Sequence, residues 1–194
     1  MENNMKTEIV CVLDRSGSMT QIVDDAIGGF NTFIEEQKKV PGEATVTLVL
    51  FDHEYTPVFE NVPINDVEPL TRKTFVPRGM TALFDALGRT IDSVGDRLSA
   101  SLDRPDKVIF VILTDGQEND SKECTADSIK ERITCQTDDY QWSFVFLAAN
   151  QDAFKAGGAM GISAANTQSY VSDGAGTRGA YATMSSMTTS LRAE

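Results

Sequence analysis

The chain has 194 residues, of which 41% are hydrophobic and 24% charged, and its formal net charge is -12. Those values fit one soluble globular domain, long enough to bury a sizeable core. The acidic balance, without any basic run, opposes binding to nucleic-acid phosphates or to anionic membranes, both of which need clustered Lys and Arg.

Residues 1–7 are polar, lack the apolar stretch of a secretory signal, and read as a short tail before a single domain over residues 8–194. No apolar run approaches the roughly 20 residues that span a bilayer. The cysteines Cys11, Cys124 and Cys135 are odd in number. With no signal sequence, they point to free thiols in a reducing, cytoplasmic compartment. Glu8 to Leu13 is apolar on both faces and predicts a fully buried strand. Met19, Ile22, Val23, Ala26, Ile27, Phe30, Phe33 and Ile34 then form a helical stripe that packs on a sheet. Gly28-Gly29 weakens that helix and Pro41-Gly42 ends it.

Ala44 to Phe51 predicts a second strand, and Tyr55 to Phe59 a third. The tight Asp52-His53-Glu54 connection and the proline at Pro57 favour an antiparallel hairpin at the sheet edge. Asn61 to Arg78 reads mostly as loop. Thr81 to Leu98 is the second helix, and Val108 to Leu113 the clearest central parallel strand, stopping at Thr114-Asp115-Gly116. A short helix over Ala126 to Ile133, a buried strand over Trp142 to Ala149 and a glycine-interrupted helix over Asp152 to Met160 follow. An edge strand over Ser169 to Val171 and a final helix over Arg178 to Leu191 close the chain. Strands and helices alternate apart from the one hairpin. The fold class is therefore α/β, a doubly wound and mostly parallel sheet with helices on both faces.

The segment from Val10 to Met19 holds the chemistry. An apolar strand ends in Asp14, and hydroxyls follow at Ser16 and Ser18 beside a helix start. Thr81 opens the second helix, after Arg78-Gly79-Met80, and Asp115 follows the central strand. In a doubly wound sheet the carboxyl ends of parallel strands share one edge, so these segments can converge. Two carboxylates and three hydroxyls are hard oxygen donors. They suit Mg²⁺, Mn²⁺ or Ca²⁺ and not Zn²⁺ or Cu²⁺. Alone, each group has a plainer reading: Ser16, Ser18 and Thr81 as helix caps, Asp115-Gly116 as a turn.

Taken together, Asp14-x-Ser16-x-Ser18, Thr81 and Asp115 resemble the metal-ion-dependent adhesion site of von Willebrand factor type A domains. The resemblance covers about Glu8 to Leu191. It implies a Rossmann-like sheet of about six strands with one antiparallel edge. It also implies a binding module rather than an enzyme: Ser16, Ser18 and in some members Thr81 as direct metal ligands, Asp14 and often Asp115 acting through water, and a partner protein's Glu or Asp as the last ligand. By family association the partner is an adaptor target such as an AAA+ ATPase or a stress or defence assembly. Arg15 and Arg78 flank ligand positions and are expected on the rim, steering an acidic partner to the metal. Asp85, one helical turn after Thr81, is a candidate for orienting Thr81 or a metal-bound water. Glu118, Asn119 and Asp120 read as a solvated loop.

Two other functions fit parts of the pattern. A Mg²⁺-dependent phosphoryl hydrolase of haloacid dehalogenase type also places Asp after its first strand, but needs a second Asp where this chain has Ser16. A self-associating structural subunit would ligate the metal with a neighbouring copy's acid.

Overall fold

The computed structural model describes residues 5–194. The first four residues of the expected tail lie outside them. Its elements run β1 (Lys6–Asp14), α1 (Val23–Gln37), β2 (Glu43–Phe51), β3 (Tyr55–Pro63), α2 (Leu83–Ala100), β4 (Lys107–Thr114), α3 (Ala126–Tyr140), β5 (Ser143–Ala148), α4 (Ala153–Ala159), β6 (Thr167–Ser169) and α5 (Gly174–Ala193). The six-stranded sheet has the order β3-β2-β1-β4-β5-β6. Only the β2–β3 pair is antiparallel.

Strand β1 explains the layering. Its side chains alternate between faces, and both faces are covered. Ile9, Cys11 and Leu13 join a core with Phe30 and Phe33 of α1 and Tyr181 and Met184 of α5. Val10 and Val12 join a second core with Leu83 and Leu87 of α2 and Ile129 of α3. Burying each such side chain contributes roughly 1.5–3 kcal/mol, so a strand apolar on both faces is held only in the sheet centre. Gly29 serves the first core: a Cβ there would lie 2.2 Å from the Tyr181 ring. The glycine that weakens α1 as a helix is what lets α5 pack closely upon it.

From β1 the chain winds through α1 to β2 and the β3 edge. It then crosses by α2 to β4 on the other side of β1. Winding direction therefore reverses between β1 and β4, and the crevice outside their carboxyl ends is where such sheets bind ligands. Leu13 is in register with Leu113, which sets Asp14 and the Thr114–Asp115 segment side by side.

Several expected boundaries move. The tail ends earlier than residue 7: Lys6 and Thr7 pair with Glu43 and Ala44 of β2, and the Lys6 N–H donates to Asp106 at 2.8 Å. The helix after β1 begins as a 3-10 turn over Gly17–Ile22. Strand β3 runs on to Pro63 through a register shift, and α3 continues to Tyr140 on a largely exposed polar face. Strand β6 sits at Thr167–Ser169, and α5 begins at Gly174, where the Asp173 carboxylate accepts the Gly176 N–H. All three cysteines are free. No helix of the described residues is long and apolar enough to cross a membrane.

Candidate metal centre

Asp14 is the last residue of β1 and is fully buried. Its Oδ1 accepts the Ser16 N–H at 2.7 Å, and its Oδ2 accepts the Thr114 hydroxyl at 2.7 Å. The Ser18 hydroxyl donates to Asp115 Oδ1 at 2.6 Å, and the Ser16 and Ser18 hydroxyls lie 3.1 Å apart. Asp115 Oδ2 accepts from Ser172 at 3.5 Å. Four of the five expected residues thus form one hydrogen-bonded cluster. The fifth, Thr81, is buried against the same turn, with its Oγ1 3.7 Å from where a Cβ on Gly116 would stand.

The cap reading fails on geometry. Ser16 stands at the N-cap of the 3-10 turn yet its side chain caps nothing, and the N-caps of α1 and α2 are Ile22 and Ala82. Helix α2 instead receives Glu118, whose Oε2 accepts the Phe84 N–H at 3.0 Å and complements the positive helix end. By contrast α3, α4 and α5 carry side-chain caps from Thr125, Asp152 and Asp173. At the crevice the Ser16 and Ser18 hydroxyls face each other instead of capping a helix.

Two acids meet here with only neutral donors around them. Burial pushes the Asp14 carboxyl up to about 6; hydrogen bonds from Thr114 and Ser16 oppose the rise, and the Asp115 charge adds to it. Asp115 is also raised, again by burial, against hydrogen bonds from Ser18 and Ser172. Among the described residues no Lys or Arg pairs with either acid. An all-oxygen set with two uncompensated negative charges matches a hard divalent cation, which would neutralise it.

The arginines behave otherwise than expected. Arg15 is buried and turns away from the rim: its Nε donates to Asp52 Oδ2 at 2.9 Å and its Nη2 to Thr56 at 2.8 Å. Arg78 Nε donates to the same Asp52 oxygen at 3.0 Å, and its Nη2 pairs with Glu54. A buried carboxylate collects both guanidinium groups; Arg15 is thereby withdrawn from the rim, while Arg78 stays half-exposed. Asp85 does not reach Thr81 either; it accepts the N–H groups of Lys122, Glu123 and Cys124 at 2.8, 2.9 and 2.8 Å. Burial raises its carboxyl, but these three donors outweigh burial and hold it below its ordinary value. Gly79 occupies a left-handed φ of 67° and accepts the Gly17 N–H at 3.1 Å, tying the loop before Thr81 to the Ser16–Ser18 loop.

Several residues that shape the crevice carry no sequence signal of their own. Thr114 holds Asp14. Asn119 Oδ1 accepts the Thr81 N–H at 2.9 Å, so the loop of Glu118 and Asn119, solvent-exposed at Asn119, also braces the site wall. Asn150 donates to the Asp115 carbonyl at 2.6 Å, Gln151 to the Gly116 carbonyl at 2.8 Å, and the Tyr170 hydroxyl to the Thr114 carbonyl at 3.1 Å.

Comparison with known proteins agrees with the architecture. PTMP1, the proximal thread matrix protein 1 of the mussel byssus, in a structure with a zinc-occupied MIDAS motif, superposes with a TM-score of 0.65 at 16% identity, covering 95% of this chain and 46% of that one. A von Willebrand factor type A structure from Catenulispora acidiphila gives 0.64 at 16% identity, over 93% of this chain and 42% of that one. The manganese-loaded TRAP protein of Plasmodium vivax gives 0.55 at 16% identity, over 76% and 59%. The chain spans less than two thirds of each of these longer chains, and at such identities the likeness is one of fold. No curated protein matches it. A family model described as von Willebrand factor type A domain matches residues 8–173, and the chain belongs to that family.

Proposed function

We propose that the chain is a metal-dependent protein-binding module. Asp14, Ser16, Ser18, Thr81 and Asp115 would hold one divalent cation, Mg²⁺ with Mn²⁺ or Ca²⁺ as alternatives. When bound, the cation supplies an open coordination position suited to a carboxylate oxygen from a partner protein. The observation that supports this most is the pair of buried acids, Asp14 and Asp115, neither of which is paired with a Lys or Arg among the described residues, the neighbouring Arg15 and Arg78 being held by Asp52. Asp14 is fixed through both oxygens, and its neighbour's charge disfavours leaving the pair uncompensated. The Ser16 and Ser18 hydroxyls are aligned by Asp115, and the Thr81 loop by Asn119.

A phosphoryl hydrolase finds less support. Asp14 is fully buried with both oxygens engaged, a poor position for a nucleophile, and the place of the needed acid/base is taken by Ser16. We therefore read the module as non-enzymatic. The test is a pull-down of partner proteins in Mg²⁺ or Mn²⁺, repeated with chelator and with Asp14→Ala. Capture that depends on both the metal and Asp14 is expected. Capture indifferent to both would sink the proposal, and phosphatase turnover lost in Asp14→Asn would favour the hydrolase. Sedimentation with and without chelator separates a distinct partner from self-association.

A further inference from the structure

We infer that Asp52, in the β2–β3 turn, is the residue that positions the two ligand-bearing loops of the metal centre. The inference rests on the metal-binding reading above and adds a residue to it. Asp52 is fully buried, and its carboxylate is shared by two arginines from different loops. Arg15 lies between Asp14 and Ser16; Arg78 lies just before Gly79 and Thr81. Asp52 Oδ1 meanwhile accepts the Glu54 N–H at 2.6 Å, which fixes the turn itself.

The main chain repeats the pattern. The Arg15 N–H donates to the Phe51 carbonyl at 2.8 Å, the Arg78 N–H to the Arg15 carbonyl at 2.9 Å, the Gly17 N–H to the Gly79 carbonyl at 3.1 Å, and the Ala82 N–H to the Asp52 carbonyl at 2.9 Å. Three chain segments thus meet at one carboxylate, and two of them bear Ser16, Ser18 and Thr81. Burial would push the Asp52 carboxyl up, but the Glu54 N–H, Arg78 and Arg15 overcome it and hold it low.

There is an electrostatic consequence as well. Two guanidinium groups beside Asp14 and Thr81 would repel a divalent cation if left unpaired. Asp52 turns both toward itself and offsets one of the two charges, while Glu54 pairs with Arg78. Removing the carboxylate would free the loops and release positive charge next to the cation site. Outer-shell partners of this kind are worth about 10–100-fold in metal affinity.

The control lies at the other end of β1. Glu8 is equally buried and pairs with Arg97, remote from the crevice. Mn²⁺ affinity by electron paramagnetic resonance is compared for wild type, Asp52→Asn and Glu8→Gln. Amide exchange at Gly17 and Arg78 is followed in metal-free protein. Asp52→Asn should bind Mn²⁺ about 10–100-fold more weakly and lose protection at both amides, while Glu8→Gln changes neither. Arg78→Gln, at a half-exposed position, keeps the test alive if Asp52→Asn does not fold, and should give a smaller loss in the same direction. Wild-type affinity in Asp52→Asn, or in Arg78→Gln where that stands in for it, overturns the assignment. So does an equal loss in Glu8→Gln. Wild-type protein with no saturable Mn²⁺ uptake overturns the metal reading itself, and the role of Asp52 with it.

Discussion

Strand β1 carries a buried carboxylate at each end, and the chain treats them differently. Glu8 receives the Arg97 guanidinium and the Thr47 hydroxyl, the latter at 2.7 Å. Asp14 receives one N–H and one hydroxyl, and the charge that acts on it is that of another acid, Asp115. Burial is complete at both, so desolvation alone does not separate them; the counter-charge does. A carboxylate paired within the chain is a piece of structure. One left beside a second acid, among oxygens that face one another, is what the proposed cation would neutralise.

The contrast can be broken by substitution, and the largest effect is expected at Asp14. Asp14→Ala should abolish Mn²⁺ uptake, at least about 100-fold by the scale of ligand and outer-shell losses, with the circular dichroism spectrum retained. Glu8→Gln should do the converse. It should keep metal affinity and lose about 1–3 kcal/mol of stability in urea titration, a moderate figure because the Arg97 side chain is 32% exposed and can reach water. Gly79→Ala combines a left-handed φ with a Cβ 1.9 Å from His53 Nδ1. It should cost about 1–3 kcal/mol and weaken metal binding, and His53→Ala should recover part of the loss. The smallest effect has the opposite sign. Asp14→Asn removes an uncompensated buried charge, so the metal-free variant should melt higher than wild type, by about 2–4 °C per kcal/mol gained. A metal-free Asp14→Asn that melts well below wild type would erase the distinction between the two ends of β1.

That the five candidate residues could converge was legible because they sit at strand ends and helix starts, where order and spacing are visible in one dimension. Strands β1 and β4 were legible because continuous apolar runs need cover on both faces. Other elements blurred where the periodic signal failed. Strand β3 continues past Phe59 through a register shift, α3 outlasts its apolar stripe after Ile133, and the glycines at 174, 176 and 179 hide the start of α5. Side-chain direction was the harder loss. Arg15 and Arg78 neighbour ligand positions in sequence, yet both turn to Asp52, whose burial no local pattern announces. Asn119 and Asn150 each contribute one side-chain hydrogen bond from separate segments, and nothing in the Thr114-Asp115-Gly116 run announces that Thr114 braces Asp14.

The most direct measurement is a calorimetric Mn²⁺ titration of wild type, Asp14→Ala and Glu8→Gln side by side. One saturable site in wild type, absent in Asp14→Ala and intact in Glu8→Gln, is the predicted result. No uptake by wild type, or uptake that survives Asp14→Ala, would contradict a metal centre at the carboxyl end of β1.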